Sequence, residues 1–220
     1  LVAGYFAVAN FLGANPWKMN SEKVYENMLP LQEVIHGKAS GMEIFSSRFG
    51  GFGLVNDKRL VKHFRVPKSK RPVCIIGDSR INRKTKDVVA MVAEWKKENP
   101  EKAGQIFSRI QQITKEMDKA INEFNWVKVG GLMTENHQLL RKLGPEQGDR
   151  IGVSHKVLDQ MVDAAVKAGA YGAKMSGAGW GGNMFAICSE EKKDAVLKAI
   201  SKYGKAYVTE LGTEGVRLES

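Results

Sequence analysis

Cysteine is scarce in this 220-residue chain, which has only Cys74 and Cys188. Each sits inside an apolar run, VCII and FAIC, that reads as a buried strand. Both are therefore expected to be reduced structural thiols, which fits the cytoplasm. Long hydrophobic runs are also missing. Nothing approaches the ~18–20 apolar residues that cross a bilayer, and Lys18, Glu22 and Lys23 soon interrupt the apolar start, so no membrane span is expected. The opening LVAGYFAVANFLG lacks methionine, a basic n-region and a cleavage site, so it reads as part of a buried helix and not as a signal peptide. Repeats and low-complexity tracts are absent.

Hydrophobic residues make up 43% of the chain, enough to bury a real core in one large domain or two small ones. Lysine and arginine outnumber aspartate and glutamate 34 to 24, giving a net charge of +10 and an attraction to anions. Part of the excess lies in KRLVKHFRVPKSKR, residues 58–71. That stretch has neither zinc-finger spacing nor an aromatic RNA-binding signature, and its apolar residues read as a surface strand, so nucleic acid is not an expected partner.

Periodicity predicts a buried helix over 1–14 and a second helix capped by Asn20 or Ser21, with Val24, Met28, Leu31 and Ile35 on one stripe. Strand-like runs follow near 52–56 and 60–66. Pro67 to Pro72 is the one convincing linker. Beyond it PVCIIG reads as a strand, 84–99 as a helix stopped by Asn99-Pro100, and Ala103 to Ile121 as a long amphipathic helix. Further helices are expected at 125–143, from Ser154 to Gly169, and at 190–203, with strands at NMFAIC, KAYVTEL and GVRLE. Strands and helices in mixed order, without regular βαβ alternation, argue for an α+β fold.

The densest signal is KMSGAGWGGNMFAIC, residues 174–188. Its glycines permit positive φ and leave amides open to an anion, yet spacing alone favours a tight structural turn. The loop is expected after a helix and before a strand, which argues against a Walker loop and a dinucleotide fingerprint. Two other polar loops could join it. HGKASGME carries the carboxylate Glu43, and GDSRINRKTK carries Thr85 among Arg83, Lys84 and Lys86. Together they form a kinase-like set of a carboxylate for an alcohol, a hydroxyl and cations for anionic groups, and amides around phosphate.

These runs carry a resemblance. VIHGKASGMEIFSSRFGG, GDSRINRKTKDVVAMV and VGGLMTENHQLLRKLG, with VSHKVLDQMVDAAVKAGAYGAKMSGAGWGGNMFAIC, resemble in order the conserved stretches of the GHMP small-molecule kinase family, most like its archaeal-type mevalonate kinases. The resemblance implies a ribosomal protein S5-like N-terminal domain, here partial over 1–68, and a ferredoxin-like C-terminal domain over 72–220. It implies ATP, Mg²⁺ and mevalonate as the small molecules handled, with the γ-phosphoryl passing to the 5-hydroxyl. By resemblance Glu43 is the base, His36, Ser40, Gly41 and Thr85 bind the substrate, and Ser176, Gly177, Ala178, Gly179, Gly181 and Gly182 line the phosphates.

The resemblance is imperfect. Glu43 stands where relatives carry aspartate, one methylene shorter. Gln32 stands at their metal-binding glutamate, leaving only the neighbouring Glu33 as a substitute ligand. The loop GPEQGDRI, residues 144–151, is longer than theirs and reads as a tolerated surface insertion. The Gly-Leu-Gly-Ser-Ser-Ala phosphate loop of relatives has no counterpart, so the chain is expected to be a fragment or a subunit completed by a separate N-terminal polypeptide. A homodimer is also compatible. A non-catalytic or altered-substrate homologue, acting as a regulatory subunit or on phosphomevalonate or a sugar, is the alternative reading.

Overall fold

A computed structural model describes residues 2–20, 22–24, 26–28, 30, 42–56, 59–212 and 214–216. The chain divides into two compact units, one formed by residues 1–70 with 211–220 and the other by Arg71–Glu210. The tail thus groups with the first unit instead of continuing the run 72–220 expected from sequence. The cause is local: Glu214 bridges Gly50, and the Val216 N–H donates to Ser47 O at 2.8 Å.

In the first unit, helix α1 (Val2–Phe11) is followed by helical positions at 22–24 and 26–28, helix α2 (Met42–Phe49) and the antiparallel hairpin of β1 (Phe52–Asn56) with β2 (Arg59–Phe64). Asn20 caps the second helix, its Oδ1 accepting from Lys23 N at 2.8 Å. Phe6, Val24, Met28, Ile44 and Phe45 form the core. The guanidinium of Arg48 lies 4.8 Å from the Phe6 ring and 5.1 Å from that of Phe49, and its burial lowers its pKa. One expectation fails here. Val8, Phe11 and Leu12 are exposed, so α1 is buried through Phe6 and not all round.

The second unit is built on a four-stranded antiparallel sheet of order β7-β8-β3-β9, formed by β7 (Gly172–Met175), β8 (Asn183–Cys188), β3 (Val73–Asp78) and β9 (Lys205–Thr209). Ala173, Ala186 and Ile75 align across three strands and are fully buried. They share a core with Leu158, Met161, Val162 and Ala165 of helix α6 (Lys156–Lys167) and with Val196 and Ile200 of helix α7 (Lys193–Ile200).

Helix α3 (Thr85–Glu98) ends at Asn99, and Pro100 begins α4 (Pro100–Asn122), which buries Ala103, Ile106, Ile113 and Ala120. Helix α5 (Trp126–Leu140) follows, and Arg109 ties α4 to it by forking onto the two oxygens of Glu135, at 2.6 and 2.7 Å.

The stretch 144–151 lies at the surface, exposed from 145 to 150, and supplies β4 (Glu146–Gln147) and β5 (Arg150–Ile151), which continue into β6 (Ser154–His155) as a small antiparallel sheet. One expectation is corrected in this unit. Ser154 is not the cap of α6. His155 holds that position, its Nδ1 accepting from Val157 N at 3.2 Å, while the Ser154 hydroxyl turns inward to Asp159.

Candidate phosphate-binding site

The glycine loop, residues 176–182, joins β7 to β8. It therefore follows a strand and not a helix as its sequence suggests, because the short run GAKM pairs with β8 from Gly172↔Ile187 to Met175↔Met184. Gly177, Gly179, Trp180, Gly181 and Gly182 all have positive φ. The glycines nevertheless do two different jobs. A Cβ on Gly179 would lie 1.7 Å from the Val153 carbonyl oxygen, and one on Gly181 would lie 2.5 Å from that of Ile81, so these two glycines permit close backbone packing. Gly177 and Gly182 meet only the guanidinium of Arg83, at 3.0 and 3.6 Å from the same construction.

The stretch after β3 brings Arg83 there. Ser79 donates its N–H and its hydroxyl to Gly182 O at 3.0 and 2.7 Å, and Gly182 N donates to Ile81 O at 3.0 Å. Two loops remote in sequence are thus stitched backbone to backbone. Between them lies a cleft of about 330 Å³ lined by Ile81, Asn82, Arg83, Ser176, Gly177, Gly182 and Asn183. Among the described residues no carboxylate lines it. Arg83 Nη1 donates to Thr85 Oγ1 at 3.1 Å, and Arg83 Nε is buried with no hydrogen-bond partner among the described residues. A planar cation with unused donors, beside the amide of Gly177 and a second position without a side chain at Gly182, fits an anion of phosphate geometry.

A buried polar cluster backs the loop. Asp159 accepts from the Ser154 hydroxyl at 2.6 Å. Its oxygens also lie 3.0 Å from His137 Nε2 and 3.0 Å from Arg141 Nε, ion-pair distances at which neither N–H points directly at its acceptor. His137 Nδ1 in turn accepts from the N–H of Met175, the last residue before the loop, at 3.4 Å.

The expected site residues fall into three groups. Ser176, Gly177, Ala178, Gly179, Gly181 and Gly182 all lie in this loop, of which Ser176, Gly177 and Gly182 line the cleft. Thr85 opens α3 and is exposed, joined to the site through Arg83. Glu43 lies in α2, with its side chain outside what is described, and His36, Ser40, Gly41, Gln32 and Glu33 lie outside the described residues altogether. Among the described residues no group of three or more His, Cys, Asp or Glu side chains could hold a metal ion. Also among them, no helix is long and apolar enough to cross a membrane.

Sequence reasoning passed over Ser79 and Trp180 and gave Arg83 no role beyond that of a flanking cation. Four basic residues in RINRKTK look alike, and only the pairing of Gly182 with Ile81 selects which one turns toward the glycines.

Antiparallel strands thus hold a glycine loop between two of them, beside a cleft that fits an anion. Residues 117–206 match the family described as "GHMP kinases C terminal". This part of the chain is thus similar to the C-terminal region of GHMP kinases. It is 31% identical to the mevalonate kinase of Thermococcus onnurineus (strain NA1), over 99% of this chain and 62% of that protein. Among solved structures, the L. major mevalonate kinase in complex with R-mevalonate shares the fold at a TM-score of 0.75 and 24% identity, covering 94% of this chain and 62% of that one. The Methanococcus jannaschii mevalonate kinase matches at a TM-score of 0.66 and 26% identity, over 92% of this chain and 58% of that one. The chain therefore spans less than two thirds of the length of these relatives.

Proposed function

We propose that this chain is part of an ATP-dependent kinase that phosphorylates the 5-hydroxyl of mevalonate in isoprenoid precursor synthesis. The observation that carries the reading is Arg83, with its Nε buried and, among the described residues, unpartnered, facing Gly177 and Gly182 across a cleft that no described carboxylate lines. The names of the relatives supply the acceptor.

In this reading Arg83 and the amide of Gly177 hold the phosphates and balance the charge that spreads over the transferring group, while Ser176 and Gly182, whose own N–H groups donate to Asn183 O and Ile81 O, shape the wall of the cleft. Thr85, bonded to Arg83, orients that guanidinium and meets the acceptor or the phosphoryl group. Glu43 takes the hydroxyl proton as the alcohol oxygen bonds to the γ-phosphorus and ADP departs. His36, Ser40 and Gly41 are assigned to the acceptor. Mg²⁺ bound with ATP would neutralise phosphate charge, and no step here runs through it.

Two residues favour a second reading, a homologue with altered substrate or without catalysis. Glu43 and Gln32 both depart from the family pattern at the chemical centre. The full-length protein incubated with ATP and mevalonate, phosphomevalonate or galactose separates the readings. ADP release that depends on mevalonate supports the first. Release with another acceptor only, or ATP binding without turnover, supports the second. A rate that rises sharply in Glu43→Asp marks an impaired site, whereas a fall marks glutamate as the adapted base.

A further inference from the structure

The hairpin of β4 and β5 is packed on the glycine loop at one residue, Trp180. The Arg150 guanidinium stacks 4.2 Å over the Trp180 ring. Trp180 Nε1 donates to Gly152 O at 2.8 Å, and Trp180 N donates to Val153 O at 3.0 Å. Trp180 also has a φ of 57°, a left-handed conformation that is a genuine outlier for a bulky side chain and persists only where the surroundings enforce it. Here the ring face, the ring N–H and the backbone N–H of Trp180 are all engaged by residues 150–153.

The hairpin is itself anchored. Gly152 N donates to Pro145 O at 3.0 Å, Val153 N to Leu140 O at 3.2 Å and Lys156 N to Asp149 O at 2.8 Å. Next to them Ser154 is bound to the buried Asp159. Among the described residues Arg150 has no ion-pair partner, which leaves stacking on Trp180 as its role.

We propose that this hairpin is a clamp on the glycine loop, in which Arg150 positions Trp180 and, through it, the cleft-lining backbone of Gly177. Arg150 thereby sets affinity for the polyphosphate of a nucleoside triphosphate without touching it. The ligand part of this inference rests on the kinase reading, but the mechanical part does not.

Two measurements on the full-length protein keep them apart: amide hydrogen exchange over 176–182 and equilibrium binding of ATP. Arg150→Met keeps the apolar stem and removes the cation. Loss of an exposed cation–π contact predicts exchange about fivefold faster and ATP binding about fivefold weaker. Arg150→Lys, which retains a cation, is expected to stay within about twofold of the parent. Unchanged exchange in Arg150→Met overturns the clamp, as does weaker ATP binding with unchanged exchange, which would mean direct contact with the nucleotide. If the parent binds no ATP, the kinase reading falls, and the exchange rates still decide for or against the clamp.

Discussion

Ser79 holds Gly182 twice: its backbone N–H and its hydroxyl both donate to the Gly182 carbonyl, at 3.0 and 2.7 Å. The same hydroxyl accepts from Ile81 N at 3.3 Å, so one small side chain fixes both the turn that leads to Arg83 and the end of the glycine loop. Ser79→Ala removes both hydroxyl bonds from a buried position and is expected to cost about 1–3 kcal/mol. Urea denaturation reads this directly. Stability equal to the parent would mean that the backbone bond alone suffices.

The two kinds of glycine should respond differently to alanine. At Gly179 the new methyl meets the Val153 carbonyl oxygen at 1.7 Å in addition to the positive φ, so the backbone itself must move. At Gly177 it meets only the tip of Arg83 at 3.0 Å, and the cost is that of a left-handed alanine, about 1–2 kcal/mol. Gly179→Ala should therefore lose distinctly more stability than Gly177→Ala in urea titrations, while Gly177→Ala should weaken phosphate binding. Equal stabilities would contradict this division of roles.

How much of this was legible in the sequence depended on side-chain periodicity. The long helix from Pro100 and the strand VCIIGD declare themselves through repeated apolar positions, which the core then buries. Strand β7 does not, because GAKM is short and made of small residues with one lysine, and its state is set by pairing with β8. The hairpin at 146–151 has strands of two residues each, too short for any period, so its contact with Trp180 is purely tertiary. The family motifs located the glycine loop, but they could not say that Gly179 and Gly181 pack while Gly177 and Gly182 face the cleft.

The two thiols should be inert in the folded protein. Burial, then the proximity of Cys188, pushes the Cys74 thiol up to about 12, and burial also raises Cys188. Little thiolate forms at Cys74 below strongly alkaline pH, and less forms at Cys188 than at a free thiol. A chromogenic disulfide reagent at pH 8 should label neither cysteine until denaturant is added. Prompt labelling of the native protein would contradict their burial.

Acid should weaken the α4–α5 junction. Hydrogen bonding from Arg109 holds Glu135 below the usual carboxylate range, so the bond's contribution is whole above the unfolded value of about 4.3 and fades as pH falls through the lower folded value. The thermal midpoint should drop between roughly pH 5 and 3, and the drop should be smaller in Arg109→Met. An identical acid dependence in that variant would show that other carboxylates control it.

The most direct test of the account is equilibrium binding of ATP to the full-length protein and to Arg83→Ala. Arg83 is the cation whose Nε, unpartnered among the described residues, and whose proximity to Gly177 and Gly182 define the cleft. Removing a charge-assisted contact to phosphate predicts binding weaker by roughly 10–100-fold, with the fold intact by circular dichroism. ATP affinity unchanged in Arg83→Ala would contradict the assignment of this cleft as the phosphate site.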